Sequence, residues 1–287
     1  MIDRLCIIGV GLIGGSLARD LRREKLVGEV VGASRNASNL KRAVALGVID
    51  RYETEIAAAV KGADMVVLAV PLGAMADVFR ALKGHLDGGA VVTDVGSAKG
   101  SVISAAEDAF GQVPDFLVPA HPIAGTEHSG VGASMEGLFR NRMVIITPAA
   151  ETRANALEKV KSMWRATGAR ITEMSASHHD EVLAATSHLP HMLAYTLVDV
   201  LGRMEERVEI FRYAAGGFRD FTRIASSDPQ MWHDICFANR DALVHALEHF
   251  SSDLDEAIDA IRRGDSEAIK SLFTRAKALR DRYTQNG

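Results

Sequence analysis

Short runs rich in Val and Ile recur through the first half of the chain: LCIIGV at 5–10, EVVGAS at 29–34, MVVLAV at 65–70, AVVTDV at 90–95, FLVPAH at 116–121 and MVIITP at 143–148. Amphipathic stretches separate them, and strand alternating with helix predicts a parallel sheet covered by helices. The runs are almost continuously apolar, as strands buried on both faces must be. An α/β fold with a Rossmann-type, doubly wound parallel sheet is therefore expected over residues 1–173, ending in a short strand pattern at 170–173. Beyond it helical periodicity takes over, and residues 174–287 are expected to form an all-helical domain. Ser177 is placed to cap a helix running to about 201, Asp228 and Pro229 to open another toward His249, and Gly264 with Asp265 to separate the last two helices. No repeat, low-complexity segment or Pro-rich linker lies between the halves, so they should meet in a cleft, the default place for a binding site.

The first strand runs into Gly9-Val10-Gly11-Leu12-Ile13-Gly14, and a helical pattern follows from Leu12 to Arg23. Each glycine has a physical task in a dinucleotide fingerprint. The first permits the tight turn, the second lets backbone approach a pyrophosphate, and the third allows close packing of helix on strand, while the helix N-terminus attracts the anion. Gly9, Gly11, Leu12, Ile13 and Gly14 are thus expected to bind a dinucleotide cofactor, with Val70 and Pro71 beside it at the end of a later strand. The second strand should end in an acidic residue if it grips the ribose of NAD, but the residues there are Ser34 and Arg35. A hydroxyl and a guanidinium suit a 2'-phosphate, so NADP is favoured over NAD.

Composition narrows the partners. At 287 residues the chain exceeds the size of a single core, and 24% charged with 47% hydrophobic residues describes an ordinary globular protein. Its net charge of -4 comes from 33 basic and 37 acidic residues, well mixed and without a basic run, which argues against nucleic acid. No apolar stretch is long enough to span a membrane, and the chain opens directly into a strand pattern, so a cytoplasmic protein is expected. Cys6 and Cys236 lie in separate apolar segments, as buried thiols in a reducing compartment would. His188 with His191 and His245 with His249 have spacings a metal could use, but no Cys or carboxylate completes either set, so no metal is expected.

Three polar segments interrupt this apolar framework. Asp94-Val95-Gly96-Ser97-Ala98-Lys99 and His121-Pro122-Ile123-Ala124-Gly125-Thr126-Glu127 each follow a buried strand, so Ser97 and His121 should face the cleft beyond the carboxyl ends of the sheet. In Thr186-Ser187-His188-Leu189-Pro190-His191, Ser187 and His191 are four apart and share one helix face, and Pro190 should kink that helix. Arg219 and Arg223, again four apart, suit the carboxylates of a small acid.

The segments GVGLIGGS, DVGSAK, HPIAGTE, ATSHLPH, GFRDFTRIA and SSDPQMW, in that order, resemble the prephenate and arogenate dehydrogenase family over nearly the whole chain. The resemblance implies oxidative decarboxylation of prephenate or arogenate, with hydride passing to NAD or NADP, on the route to tyrosine. It implies a Rossmann domain followed by a helical domain that intertwines with its twin in a homodimer. It further implies that His121 is the catalytic histidine with Ser97 as its hydrogen-bonding neighbour, and that Arg223 grips the ring carboxylate. Ser187 and His191 would line the substrate pocket, Thr126, Glu127 and Arg219 its mouth, and Trp232 the region that distinguishes prephenate from arogenate. The chain departs from the family's usual pattern in having Ser34 in place of Asp and Arg219 in place of Lys. If His121 is the base, activity is expected to fall below about pH 6.5 as the imidazole takes up a proton.

A different NAD(P)-dependent two-domain dehydrogenase, acting on a small hydroxy acid, is the alternative. Such an enzyme would want a lysine on its first long helix as acid or base, and residues 176–201 contain neither Lys nor Arg. A non-catalytic cofactor sensor would share the glycine turn but would have no need of Ser97, His121 and two spaced arginines.

Overall fold

The computed structural model describes residues 1–126, 128–204 and 207–285. Strands β1 (Ile2–Ile8), β2 (Val27–Ala33), β3 (Arg51–Glu53), β4 (Met65–Leu68), β5 (Val91–Asp94) and β6 (Leu117–Val118) form one sheet in the order β3-β2-β1-β4-β5-β6, parallel throughout. This is the dinucleotide-binding order, with its switch point between β1 and β4. Ile8 stands level with Ala33 on one side and Leu68 on the other, so three strands end together at one crevice. Alternate residues of β1 feed opposite faces. Leu5 and Ile7 join a core with Leu17, Leu21 and Trp164, while Cys6 and Ile8 join another with Phe79, Leu82 and Val102.

The last two apolar runs do not simply extend this sheet: only the first part of FLVPAH joins it, and MVIITP does not. FLVPAH divides at Pro119, which has no N–H to give a ladder. Its first part is β6, and its second becomes β7 (Ala120–Pro122), which pairs antiparallel with β8 (Met143–Ile146). β8 pairs in parallel with β9 (Arg170–Glu173), making a separate three-stranded sheet. His121 therefore sits on a short strand set off from the main sheet.

The helices also begin and end differently from the simple pattern. Ser175, not Ser177, caps the Ala176–Leu183 helix by accepting the N–H of His178 at 3.2 Å. A single wide π turn, Ala184–His188, then leads into the Leu189–Gly202 helix, whose first turn holds Pro190. The missing N–H of Pro190 is accommodated by this local widening, a form that often accompanies functional sites. Asp228 caps the next helix as anticipated, accepting Met231 N–H at 2.8 Å, but that helix ends at Ala238. Asn239 leaves helical geometry before Arg240–Arg262 begins.

The chain divides into two units, Met1–Arg240 and Asp241–Gly287. The second consists of the remainder of the Arg240–Arg262 helix and the Ser266–Gln285 helix, separated as anticipated at Gly264 and Asp265. It exposes Phe250, Leu254, Ile261, Phe273 and Leu279. Among the described residues no helix is long and apolar enough to cross a membrane, and Cys6 and Cys236 are both free thiols.

Candidate active site

The glycine turn has the shape its spacing demands. Gly9 has φ +96°, and a Cβ there would lie 2.3 Å from the Ala69 carbonyl oxygen, so no other residue fits between β1 and β4. A Cβ on Gly14 would strike Ile7 at 2.8 Å, which is the close helix-to-strand approach. At Gly11, by contrast, nothing lies within 4 Å. Gly11 precedes the Leu12–Arg23 helix, which no side chain caps. Bare helix N–H groups behind open space fit a bound pyrophosphate. At the tip of β2, Ser34 is half-buried and accepts Asn36 N–H at 3.2 Å, and Arg35 is exposed. Asn39 ties this tip to the turn, donating to the Val10 carbonyl at 2.8 Å. Val70 is half-buried and Pro71 exposed just beyond β4.

His121 is placed by a buried ion pair beneath it. Asp94, at the end of β5, accepts the N–H of Ala120 at 3.2 Å and that of Gly96 at 2.7 Å. Lys99 is paired with Asp94 and donates to the Ala120 carbonyl at 2.8 Å. One peptide is held from both sides, and the next side chain is the buried imidazole of His121. Its Nδ1 lies 2.9 Å from Nε2 of His179, whose Nδ1 lies 2.7 Å from Asp180 Oδ1. His179 is the neighbour that meets His121 Nδ1, and among the described residues no hydrogen bond joins Ser97 to His121. Ser97 remains half-buried on the loop between Asp94 and Lys99. Burial, followed by the positive charge of Lys99 and the neighbouring His179 and His188, holds the His121 pKa well below 6.5. The ring is neutral at pH 7.

A second wall comes from the helical segments. His191 Nδ1 donates to the Ser187 backbone carbonyl at 2.9 Å, across the junction of the π turn and the following helix. The His191 ring stacks on Trp232 with centroids 3.6 Å apart, and His188 meets Trp232 edge-on at 6.1 Å. Burial lowers the His191 pKa, the Ser187 carbonyl opposes that, and the nearby Arg223 charge adds to it. Asn239, freed by the helix break, donates to the Asp180 carbonyl at 2.7 Å and lies 3.1 Å from His188 Nδ1. Burial lowers His188 to about 4.

Ser97, His121, Ser187, His191, Arg223 and Trp232 thus belong to one neighbourhood, and His179, Asp180, Lys99 and Asn239 support it. Arg219 is exposed on the Gly216–Thr222 helix, one turn before Arg223. Thr126 is exposed and accepts His128 N–H at 3.2 Å; with Asn39, Arg42 and His128 it lines a cleft of about 580 Å³. Glu127 lies outside the described residues.

Two family models match the chain: "Prephenate dehydrogenase, nucleotide-binding domain" over residues 17–173 and "Prephenate dehydrogenase, dimerization domain" over 175–275. The chain is 40% identical to a cyclohexadienyl dehydrogenase of Zymomonas mobilis, covering 98% of this chain and 96% of that protein. It is 35% identical to a prephenate dehydrogenase of Bacillus subtilis, covering 98% and 76%. The prephenate dehydrogenase of Aquifex aeolicus, solved with hydroxyphenyl propionate and NAD+, superposes with a TM-score of 0.90 at 37% identity, covering 98% of both chains.

Proposed function

Because the chain belongs to the prephenate dehydrogenase family, we propose that it oxidises and decarboxylates prephenate or arogenate to 4-hydroxyphenylpyruvate or tyrosine, with hydride transfer to a nicotinamide cofactor. The observation that carries this reading is a buried, neutral imidazole with one nitrogen engaged by the protein, in one neighbourhood with Ser97 and the wall of Ser187, His191, Trp232 and Arg223.

Each residue has a distinct task. His121 Nε2 takes the proton of the ring hydroxyl as hydride leaves the same carbon, a general-base contribution of about 10²- to 10⁴-fold. The bound nicotinamide supplies the hydride acceptor. Ser97 hydrogen-bonds the same hydroxyl oxygen and keeps it in line with His121. Arg223 holds the ring carboxylate by position rather than by tight ground-state pairing, which would oppose its loss. As carbon dioxide leaves, the electrons of its bond enter the ring and aromatise it, and the oxygen recovers its proton from His121. Trp232 and His191 face the side chain, keto in prephenate and ammonium in arogenate. Arg219 and Thr126 guard the pocket mouth.

The cofactor is NADP in preference to NAD, since Ser34 and Arg35 offer a donor and a cation where an acid would repel a 2'-phosphate. Residues 1–173 hold the cofactor and 174–287 complete the substrate site and pair with a second copy. The exposed Phe250, Leu254, Ile261 and Phe273 support a homodimer. The free thiols suit the cytoplasm.

The test is reduced-cofactor formation, followed by absorbance, with the purified protein offered prephenate or arogenate and NADP+ or NAD+. Turnover is expected with at least one acid, and faster with NADP+. Silence in all four mixtures sinks the activity; equal or faster use of NAD+ removes only the role given to Ser34 and Arg35.

A further inference from the structure

We propose that His179 and Asp180 are positioning residues that lock His121 in the tautomer protonated on Nδ1, so that Nε2 is always the bare nitrogen offered to the substrate. This rests on the function proposed above and names what makes its base competent. Asp180 receives the backbone N–H groups of Lys99 and Gly100, each at 2.8 Å, and His179 Nδ1 at 2.7 Å. Burial pushes its carboxyl up, but the bonds from His179, Lys99 and Gly100 outweigh this and leave its pKa lowered. An ionised carboxylate can only accept, so the hydrogen between it and His179 belongs to His179 Nδ1.

The hydrogen that His179 directs at Asp180 lies on Nδ1, which leaves its Nε2 to accept. Two ring nitrogens 2.9 Å apart share a single hydrogen, so His121 Nδ1 supplies it. His121 is itself neutral, and its Nε2 is therefore bare. The opposite tautomer would present an N–H to the hydroxyl and could not take its proton. Both rings are held away from solvent, His121 at 8% exposure and His179 fully buried. The same carboxylate binds the start of the Gly100–Phe110 helix, three residues beyond Ser97, so a single side chain sets both the base and the loop that carries its neighbour.

Steady-state kinetics of His179→Leu and His179→Gln test the idea. Leu removes the acceptor and is expected to lower kcat on the order of 10²-fold or more, as wrong-tautomer variants of other catalytic histidines do. The Gln carbonyl can still accept from Nδ1, and should recover about tenfold or more of that loss, with both Michaelis constants within about threefold of the parent. Equal damage in both variants, with kcat, KM and melting temperature moving together, would mean a structural role only. A folding defect in the variants leaves a second measurement on the unaltered protein, long-range ¹H–¹⁵N correlation of its histidines. A hydrogen on His121 Nδ1 and a bare Nε2 are expected, and the reverse assignment overturns the proposal. An unaltered protein that turns over neither acid fails the function instead, and the tautomer result stands apart from it.

Discussion

His121→Asn is expected to lower kcat by about 10²- to 10⁴-fold while cofactor affinity is kept, because asparagine can donate toward His179 from the position of Nδ1 but has no nitrogen that takes up a proton. The fold should survive, since the flanking peptide is held by Asp94 and Lys99 and not by the imidazole. A variant within about tenfold of the parent in kcat would remove the histidine from proton transfer. The pH dependence of the parent belongs to the same prediction. A base works when unprotonated, so activity rises with pH through the pKa of His121 and is level above it. That pKa is held well below 6.5, so the acid limb lies lower than the free-histidine value used for the sequence-based expectation, and activity is undiminished at pH 6.5.

Arg223→Ala is the second large effect, and it falls on a different parameter. A charge-assisted hydrogen bond between guanidinium and carboxylate contributes about 2–3 kcal/mol when its removal leaves the partner unpaired, corresponding to roughly 30- to 150-fold in KM. Arg223 acts mainly by positioning, so kcat should fall much less than KM rises. Arg223→Lys should recover part of the loss, limited by the absence of the planar fork. An unchanged KM in Arg223→Ala would place the carboxylate elsewhere, with Arg219 the next residue to replace.

Much of this site is legible in the chain because parallel strands deliver the loops at their carboxyl ends to one edge of the sheet. Gly9 to Gly14 and Ser97 lie just beyond the ends of β1 and β5, and His121 follows β6 closely, so strand order brings them to one edge. Four-residue spacing likewise places Ser187 with His191. The support of His121 is harder to see. His179 and Asp180 lie on an eight-residue helix whose sequence, ASHHDEVL, reads as an ordinary solvated face, and only the fold carries His179 across 58 positions to His121. Lys99 gives no sign of burial either, since a lysine is buried only when paired and its partner Asp94 sits on a strand. Asn239 is hidden for another reason. Helical periodicity runs through 229–249, and the break there is stabilised by hydrogen bonds to Asp180 and His188 that local sequence does not encode. The division of FLVPAH could have been found, because Pro119 lies inside an apparent strand, and proline there marks an interruption. β3, with only Arg51, Tyr52 and Glu53, carries no apolar run to find.

The central claim is that hydride loss and loss of carbon dioxide are parts of one reaction at one site. Quantifying reduced cofactor and released carbon dioxide from the same reaction tests it most directly, using whichever of prephenate or arogenate the protein turns over. The predicted result is one carbon dioxide for each reduced cofactor at every time point, with no ketone retaining the ring carboxylate. Reduced cofactor formed without carbon dioxide would contradict the account and identify a simple alcohol dehydrogenase.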